Sequence, residues 1–146
     1  MAACPEKLAL TITAPLKMEA LSGSCLQIPC NFRGRSEGQF YGGTAIGVWI
    51  KNDHDFGSYP ENVIFRSDQT DNPYPMNITG NLKEKNCTTL FSNLNTTYTD
   101  IYYFRIENGP PKATAICDPL NITVTGKSFH SFGCFFFILF FLVVQH

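Results

Sequence analysis

The sequence predicts an all-β fold in which two sheets pack face to face as a sandwich. Short runs of alternating apolar and polar residues recur along the chain, and clusters of Gly, Pro, Asn and Asp separate them. This is the pattern of strands joined by turns. No apolar stripe with helical spacing persists. The length of 146 residues suits one domain with short flanks, since small sandwiches need only about 100 residues.

The strands are predicted from the alternation in chain order. They cover residues 8–13, 25–30, 46–51, 62–65, 87–92, 100–107 and 113–124. In residues 100–107, side chains 102, 104 and 106 face inward, so Ile101, Tyr103 and Arg105 point outward. Pro119 interrupts the last strand, where we expect a bulge or an edge.

Composition indicates an extracellular glycoprotein and argues against nucleic acid as a partner. The net charge is −1 and the basic residues are not clustered. Six cysteines accompany four N-x-Ser/Thr sequons, which favours an oxidising compartment. The sequons predict glycosylation at Asn77, Asn86, Asn95 and Asn121. We therefore expect the domain at the cell surface, on the plasma membrane, or in a secreted form.

No catalytic or metal-binding pattern is present in the sequence. The histidines are scattered and no C-x-x-C pair occurs. The Asp53-His54-Asp55 run is interpreted as a solvated loop. The pairings that nucleophilic catalysis or glycoside hydrolysis requires are not evident. We expect no enzymatic activity, no metal and no cofactor.

Trp49 and Tyr102 occupy positions typical of an immunoglobulin V-type sandwich. Trp49 lies on the third core strand, where such domains pack a tryptophan against their central disulfide. Tyr102 lies two residues before the usual second cysteine, as a corner tyrosine does. Phe104 stands in that cysteine's place. The prediction is therefore an immunoglobulin V-type sandwich without the usual bridge between sheets.

Several short segments together resemble a known receptor family. They are residues 23–32 (GSCLQIPCNF), 47–49 (GVW), 59–60 (YP), 63–67 (VIFRS), 86–93 (NCTTLFSN) and 102–105 (YYFR). Over about residues 16–124 the chain resembles the N-terminal domain of the sialic-acid-binding immunoglobulin-like lectins (Siglecs), most closely the myelin-associated glycoprotein type. The combination is specific, although any one segment alone is common.

The resemblance implies a disulfide within one sheet, between Cys30 and Cys87. Neighbouring strands can place two Cβ atoms at the distance such a bond requires. Cys25 matches a family cysteine that bridges to a second domain, which we do not expect within residues 125–146. Two alternatives stay open for Cys25: a bond to Cys117, or a partner in a longer native chain.

The resemblance also implies that Arg105 binds the carboxylate of sialic acid. A planar guanidinium can hold a carboxylate with two parallel charge-assisted hydrogen bonds. The neighbouring Tyr103 could offer an apolar face. In the family the next strand contributes mostly backbone contacts, which map to residues 112–114, and Lys112 and Thr114 are therefore ligand-binding candidates. The competing interpretation is an ordinary surface arginine beside Glu107.

Two departures from the family pattern favour a second hypothesis for function. Pro110 and Pro111 stand where the family carries an aromatic residue, and residues 10–13 lack the aromatic expected on the first strand. Tyr41 or Tyr59 could compensate from a loop. Our first hypothesis is a sialic-acid-binding lectin domain of an adhesion receptor, with sialylated glycans as partners. The alternative is a protein–protein adhesion or decoy module, with a cell-surface protein as partner.

The flanks divide into an N-terminal extension (1–7), the V-type domain (8–124), a polar spacer (125–131) and an apolar segment (132–144). The apolar segment has 13 residues, short of the roughly 20 that span a bilayer. It is a candidate membrane anchor, as a short transmembrane segment or as a tail removed on lipid attachment, and a mistranslated intron is the third alternative. Residues 1–10 contain no signal-peptide run, so we expect an upstream start, a fragment or a truncated product.

Overall fold

The structure is a computed structural model that describes residues 4, 8–36, 40 and 44–126. Over these residues it is an all-β, sandwich-like fold. The strands are β1 (Leu10–Thr13), β2 (Lys17–Leu21), β3 (Leu26–Ile28), β4 (Asn31–Gly34), β5 (Ile46–Lys51), β6 (Val63–Arg66), β7 (Met76–Ile78), β8 (Thr89–Phe91), β9 (Asp100–Glu107), β10 (Lys112–Thr114) and β11 (Leu120–Thr125). Short 3-10 helices cover Pro60–Asn62, Leu82–Glu84 and Thr96–Tyr98.

The larger layer is a six-stranded sheet in the order β2-β11-β9-β5-β6, with β10 paired to one end of β9. Its pairs are antiparallel except β2 with β11, which run parallel. The opposite layer contains the sheet β3-β8-β7 and the pair β1-β4. Asn31, the first residue of β4, forms an isolated antiparallel bridge with Asn86, so the β3–β8 pairing extends to the start of β4.

The core between the layers includes the inward positions predicted for residues 100–107, which form β9. Tyr102, Phe104 and Ile106 are fully buried. Trp49 packs edge-on against Phe104, with 5.3 Å between ring centroids, and its indole N–H donates to the Thr89 hydroxyl at 2.9 Å. A buried indole needs such an acceptor. Phe104 therefore packs against Trp49 at the position where a cysteine would otherwise bridge the two sheets.

A hydrogen bond from Tyr102 holds the N-terminal end of β9. The Tyr102 hydroxyl donates to the main-chain carbonyl of Tyr98, at the end of the preceding 3-10 helix. Burial raises the pKa of Tyr102, so the hydroxyl stays a donor across the physiological range.

The structure contains the Cys30–Cys87 disulfide, with the Cα atoms 4.8 Å apart. The two residues lie opposite each other in continuation of the β3–β8 register, and the Cys87 N–H donates to the Cys30 carbonyl at 2.9 Å. Both are buried. The bond therefore joins neighbouring strands of one layer, as the resemblance to the Siglecs implied.

The alternative pairing of Cys25 with Cys117 is wrong, because Cys117 is bonded to Cys4. Cys117 lies between β10 and β11. β1 is held beside this connection, since the Ile12 N–H donates to the Asp118 carboxylate at 2.9 Å. Cys4 and β1 therefore both lie beside the β10–β11 connection.

The last predicted strand is divided into β10 and β11, with Pro119 in the connection between them. Tyr41, most of the N-terminal extension, and most of the spacer with the whole apolar segment 132–144 lie outside the described residues. Within the residues that are described, no helix is long and apolar enough to cross a membrane.

Candidate functional site

The candidate site lies on the outer face of the six-stranded sheet, where Arg105 projects from β9. Strand register places Arg105 between Val48 of β5 on one side and Thr114 of β10 on the other. On the other side of β5, Val48 is paired with Arg66 of β6. The two arginines therefore flank Val48 on the same face of the sheet.

Three neighbours hold the guanidinium of Arg105. Its Nε donates to Glu107 Oε2 at 2.8 Å, and its Nη1 donates to the Thr114 hydroxyl at 3.1 Å. The Phe56 ring lies over it, with 4.7 Å from Cζ to the ring centroid, within the range of a cation–π contact. The Arg105 side chain is 15% exposed. The Arg105 side chain is therefore held in place and mostly buried.

Glu107 joins the two arginines. Its Oε1 accepts from Arg66 Nη2 at 3.0 Å while its Oε2 accepts from Arg105, and its side chain is 10% exposed. Burial alone would raise the pKa of Glu107, but the hydrogen bonds from Arg105 and Arg66 outweigh it and the pKa is lowered. Arg66 Nε also contacts Asp68 Oδ1 at 3.1 Å. Glu107 is therefore ionised at neutral pH.

Lys112 adds a third cation beside this carboxylate. It lies opposite Glu107 in the β9–β10 register, while Thr114 lies opposite Arg105. Because side chains alternate along a strand, Lys112 projects to the same outer face as Thr114. It is exposed. We call Arg66, Arg105, Lys112, Glu107 and Asp68 the arginine cluster; it contains three positive and two negative groups.

The strand β10 presents main-chain groups next to Arg105. The Ala115 N–H donates to the Phe104 carbonyl and the Asn108 N–H to the Pro111 carbonyl, both at 2.9 Å. In an antiparallel pair the intervening residues direct their main-chain groups away from the partner strand. The main-chain groups of Lys112 and the Thr114 N–H therefore face the open side of β10, while the Thr114 carbonyl accepts from Ile116.

The structure brings two of the four predicted ligand-binding residues into contact, Arg105 and Thr114. Lys112 lies beside them through register rather than through a hydrogen bond. Tyr103 points to the outer face, but its ring contacts His54, with centroids 5.6 Å apart. Burial, together with the Asp53 carboxylate, raises the pKa of Tyr103. Tyr103 thus supports the neighbouring loop and does not touch the guanidinium.

Sequence reasoning missed Phe56 and Arg66. Phe56 lies in the loop between β5 and β6, and it is the aromatic residue that covers the arginine. The loop candidate Tyr59 is instead 48% exposed. Arg66 belongs to the motif at residues 63–67, and nothing in that motif distinguishes it as a site residue. Glu107 appeared as a neighbour in the competing interpretation of Arg105, and that contact is present.

The four predicted glycosylation sites differ in exposure. Asn77 and Asn95 are exposed, whereas Asn86 and Asn121 are partly buried. The Asn86 side-chain oxygen accepts from the Thr88 N–H at 2.9 Å. Asn77 and Asn95 are therefore the more accessible pair.

A cavity of about 450 Å³ lies at the end of the sandwich near the β7–β8 connection and shares only Asp68 with the arginine cluster. Apolar side chains such as Ile78 and Leu82 line it, with Asp68 and Lys83 among its polar residues. Arg105, Lys112 and Thr114 do not line it. The cavity is therefore not the place where the predicted ligand-binding residues meet.

Within the part of the chain that the structure describes, no group of three or more His, Cys, Asp or Glu side chains is arranged to hold a metal ion. No protein-family model matches the sequence, and no curated protein matches it.

Proposed function

We propose that this chain is an immunoglobulin V-type domain that acts as a non-catalytic lectin and binds sialylated glycans through Arg105. The strand order supports the fold: β3-β8-β7 corresponds to the B-E-D sheet, and β11-β9-β5-β6 to the G-F-C-C′ sheet. The corner hydrogen bond of Tyr102 has the expected partner a few residues upstream. We place the domain on a cell-surface adhesion receptor, with segment 132–144 as its candidate anchor.

The observation that carries the proposal is the fixed guanidinium of Arg105 on an outer sheet face. A guanidinium has five N–H donors, and Glu107 and Thr114 take two of them. Among the described residues nothing accepts from Nη2. The three remaining donors lie on Nη1 and Nη2, and they suit two parallel bonds to one carboxylate. Because neighbours already hold the side chain, binding costs little further side-chain entropy.

The open side of β10 gives the rest of the sugar polar partners. Main-chain groups of Lys112 and Thr114 can bond the hydroxyl and amide groups of a sialic acid as a neighbouring strand would. The Thr114 hydroxyl accepts from Arg105, so its own proton is available to a ligand oxygen. The exposed Lys112 adds positive charge beside Arg105 and Thr114. A shallow polar site of this kind binds weakly, and clustering of receptors supplies avidity.

The competing proposal is a protein–protein adhesion module that has lost sugar binding. The ion pair of Arg105 with Glu107 favours it, because the guanidinium already has a carboxylate partner. Exposed apolar side chains also favour it: Leu16 is 73% exposed and Ile101, on the outer face of β9, is 37% exposed.

A multivalent sialoglycan array tests the lectin proposal on the complete chain. The wild type is expected to bind sialylated probes, and neuraminidase treatment is expected to abolish this binding. Arg105→Ala should weaken binding about tenfold or more, because hydrogen bonds to a charged group contribute about 1.5–3 kcal/mol. Arg105→Lys should lose most of the same affinity, since an ammonium lacks the planar fork.

The matched control is Arg33→Ala. Arg33 is an exposed arginine on β4, in the opposite layer, and its loss should leave binding unchanged. If the folded wild type binds no sialylated probe, or if Arg33→Ala reduces binding as much as Arg105→Ala, the lectin proposal is wrong and the adhesion module becomes the better account.

A further inference from the structure

We infer that Glu107 limits the affinity of the Arg105 site, because an internal carboxylate competes with the ligand's carboxylate for one guanidinium. This inference rests on the proposed lectin function and names the residue that sets its strength. Glu107 Oε2 lies 2.8 Å from Arg105 Nε. A ligand carboxylate bonded to Nη1 and Nη2 would lie along the neighbouring edge of the same Arg105 guanidinium. The ligand carboxylate and the Glu107 carboxylate would then be roughly 5 Å apart.

The repulsion between these two carboxylates cannot be relieved by rotation of Glu107. Arg66 holds its second oxygen at 3.0 Å, and its side chain is only 10% exposed. Solvent therefore screens Glu107 weakly, and like charges at such a distance repel appreciably near a protein surface. The ligand meets a guanidinium whose charge is already partly neutralised by a partner that stays in place.

The surrounding charges decide what happens when Glu107 is neutralised. The groups facing it are Arg105 on its own strand, Arg66 on β6 with Asp68 just beyond, and Lys112 opposite it on β10. With both carboxylates ionised, the arginine cluster has a net charge of about +1. Removal of the Glu107 charge raises this to about +2 and strengthens the attraction for an anionic sugar.

The substitution Glu107→Gln isolates this charge effect. The glutamine oxygen can still accept from Arg105 Nε, and Arg66 keeps Asp68 as a partner at 3.1 Å. The shape of the side chain is nearly unchanged. We expect Glu107→Gln to bind a monovalent sialoside about fivefold more tightly than the wild type at low salt, with a smaller gain at high salt because the effect is electrostatic.

The matched control is Glu19→Gln. Glu19 is an exposed carboxylate on β2, at the edge of the six-stranded sheet and outside the arginine cluster, so neutralising it should change affinity less than twofold. The double variant Arg105→Ala/Glu107→Gln should show no gain. Glu107→Ala, as a second variant, should also bind more tightly than the wild type. A gain in affinity cannot come from misfolding.

The experiment is a titration of a defined sialoside into the complete chain and its variants, with thermal unfolding of each variant recorded in parallel. Unchanged or weaker binding by folded Glu107→Gln and Glu107→Ala would overturn the inference, and weaker binding would show that Glu107 positions Arg105 instead. In both cases a wild type that binds and loses binding through Arg105→Ala leaves the lectin proposal standing. A wild type that does not bind overturns both.

Discussion

Loss of the Cys30–Cys87 disulfide should destabilise the domain by an amount that the sequence separation predicts. The bond spans 57 residues, and in the chain-entropy model a cross-link of this span stabilises the folded state by about 4 kcal/mol. Both cysteines are buried, so we choose the double replacement C30V/C87V to keep the site filled. For a domain of this size the loss corresponds to a decrease in Tm of about 15 °C.

Trp49 provides the assay, because it is the single tryptophan of the chain and is fully buried. Its fluorescence is followed during guanidinium unfolding under non-reducing conditions. The variant should also show a larger m-value, since the unfolded chain exposes more surface without the cross-link. A loss below about 1 kcal/mol would refute the reasoning, because it would show that this bond does not constrain the unfolded chain.

Three further predictions concern the site and the corner of the fold. Phe56→Leu should weaken sialoside binding about threefold in a titration, because it removes the ring over the Arg105 guanidinium while keeping an apolar side chain; unchanged affinity would contradict this role. Tyr102→Phe should lower the free energy of unfolding by about 1 kcal/mol in a denaturant titration, since the Tyr98 carbonyl loses its donor; an unaltered midpoint would count against it. The pKa of Glu107 is lowered in the folded state, so its stabilising effect is complete above the unfolded-state value of 4.5 and is lost as pH falls through the folded-state pKa. The stability difference between the wild type and Glu107→Gln should therefore shrink in unfolding experiments below about pH 4.5, and a constant difference would exclude this linkage.

The strands that alternate strongly were predictable, and three weaker strands, β2, β4 and β7, were not. In β2, exposed Lys17 and Glu19 alternate with buried Met18 and Ala20, so its alternation is complete. Lysine, glutamate and alanine are poor strand formers, however, and β2 forms because it pairs with β11. β7 has only three residues, which is too short for a period to be recognised.

The position of Arg105 on the outer face followed from the period of its strand, but its partners did not. Arg66 is 41 positions from Glu107 in sequence, and it reaches Glu107 only because β6 and β9 flank β5. Phe56 belongs to a loop, and loop conformation leaves no periodic pattern to interpret. The sequence therefore predicts which side chains a strand presents, whereas charge partners depend on strand order.

The second disulfide shows a similar limit. Four cysteines remain after Cys30 and Cys87 are paired, and four cysteines allow three connectivities. Cys4 bonds to Cys117 beside the β10–β11 connection, where Asp118 also accepts from the Ile12 N–H. No residue pattern within the N-terminal segment indicates that these two cysteines meet.

The Cys4–Cys117 bond also determines how the domain transmits mechanical force. A pull applied at Cys4 and beyond β11 passes directly through the sulfur bridge to Cys117, so most of the intervening polypeptide carries no tension. The loaded part is the short stretch that contains β11, which β2 and β9 hold on either side. Arg105 lies within the part of the chain that such a pull leaves unloaded, so its surroundings keep their geometry while the two ends of the domain are under tension.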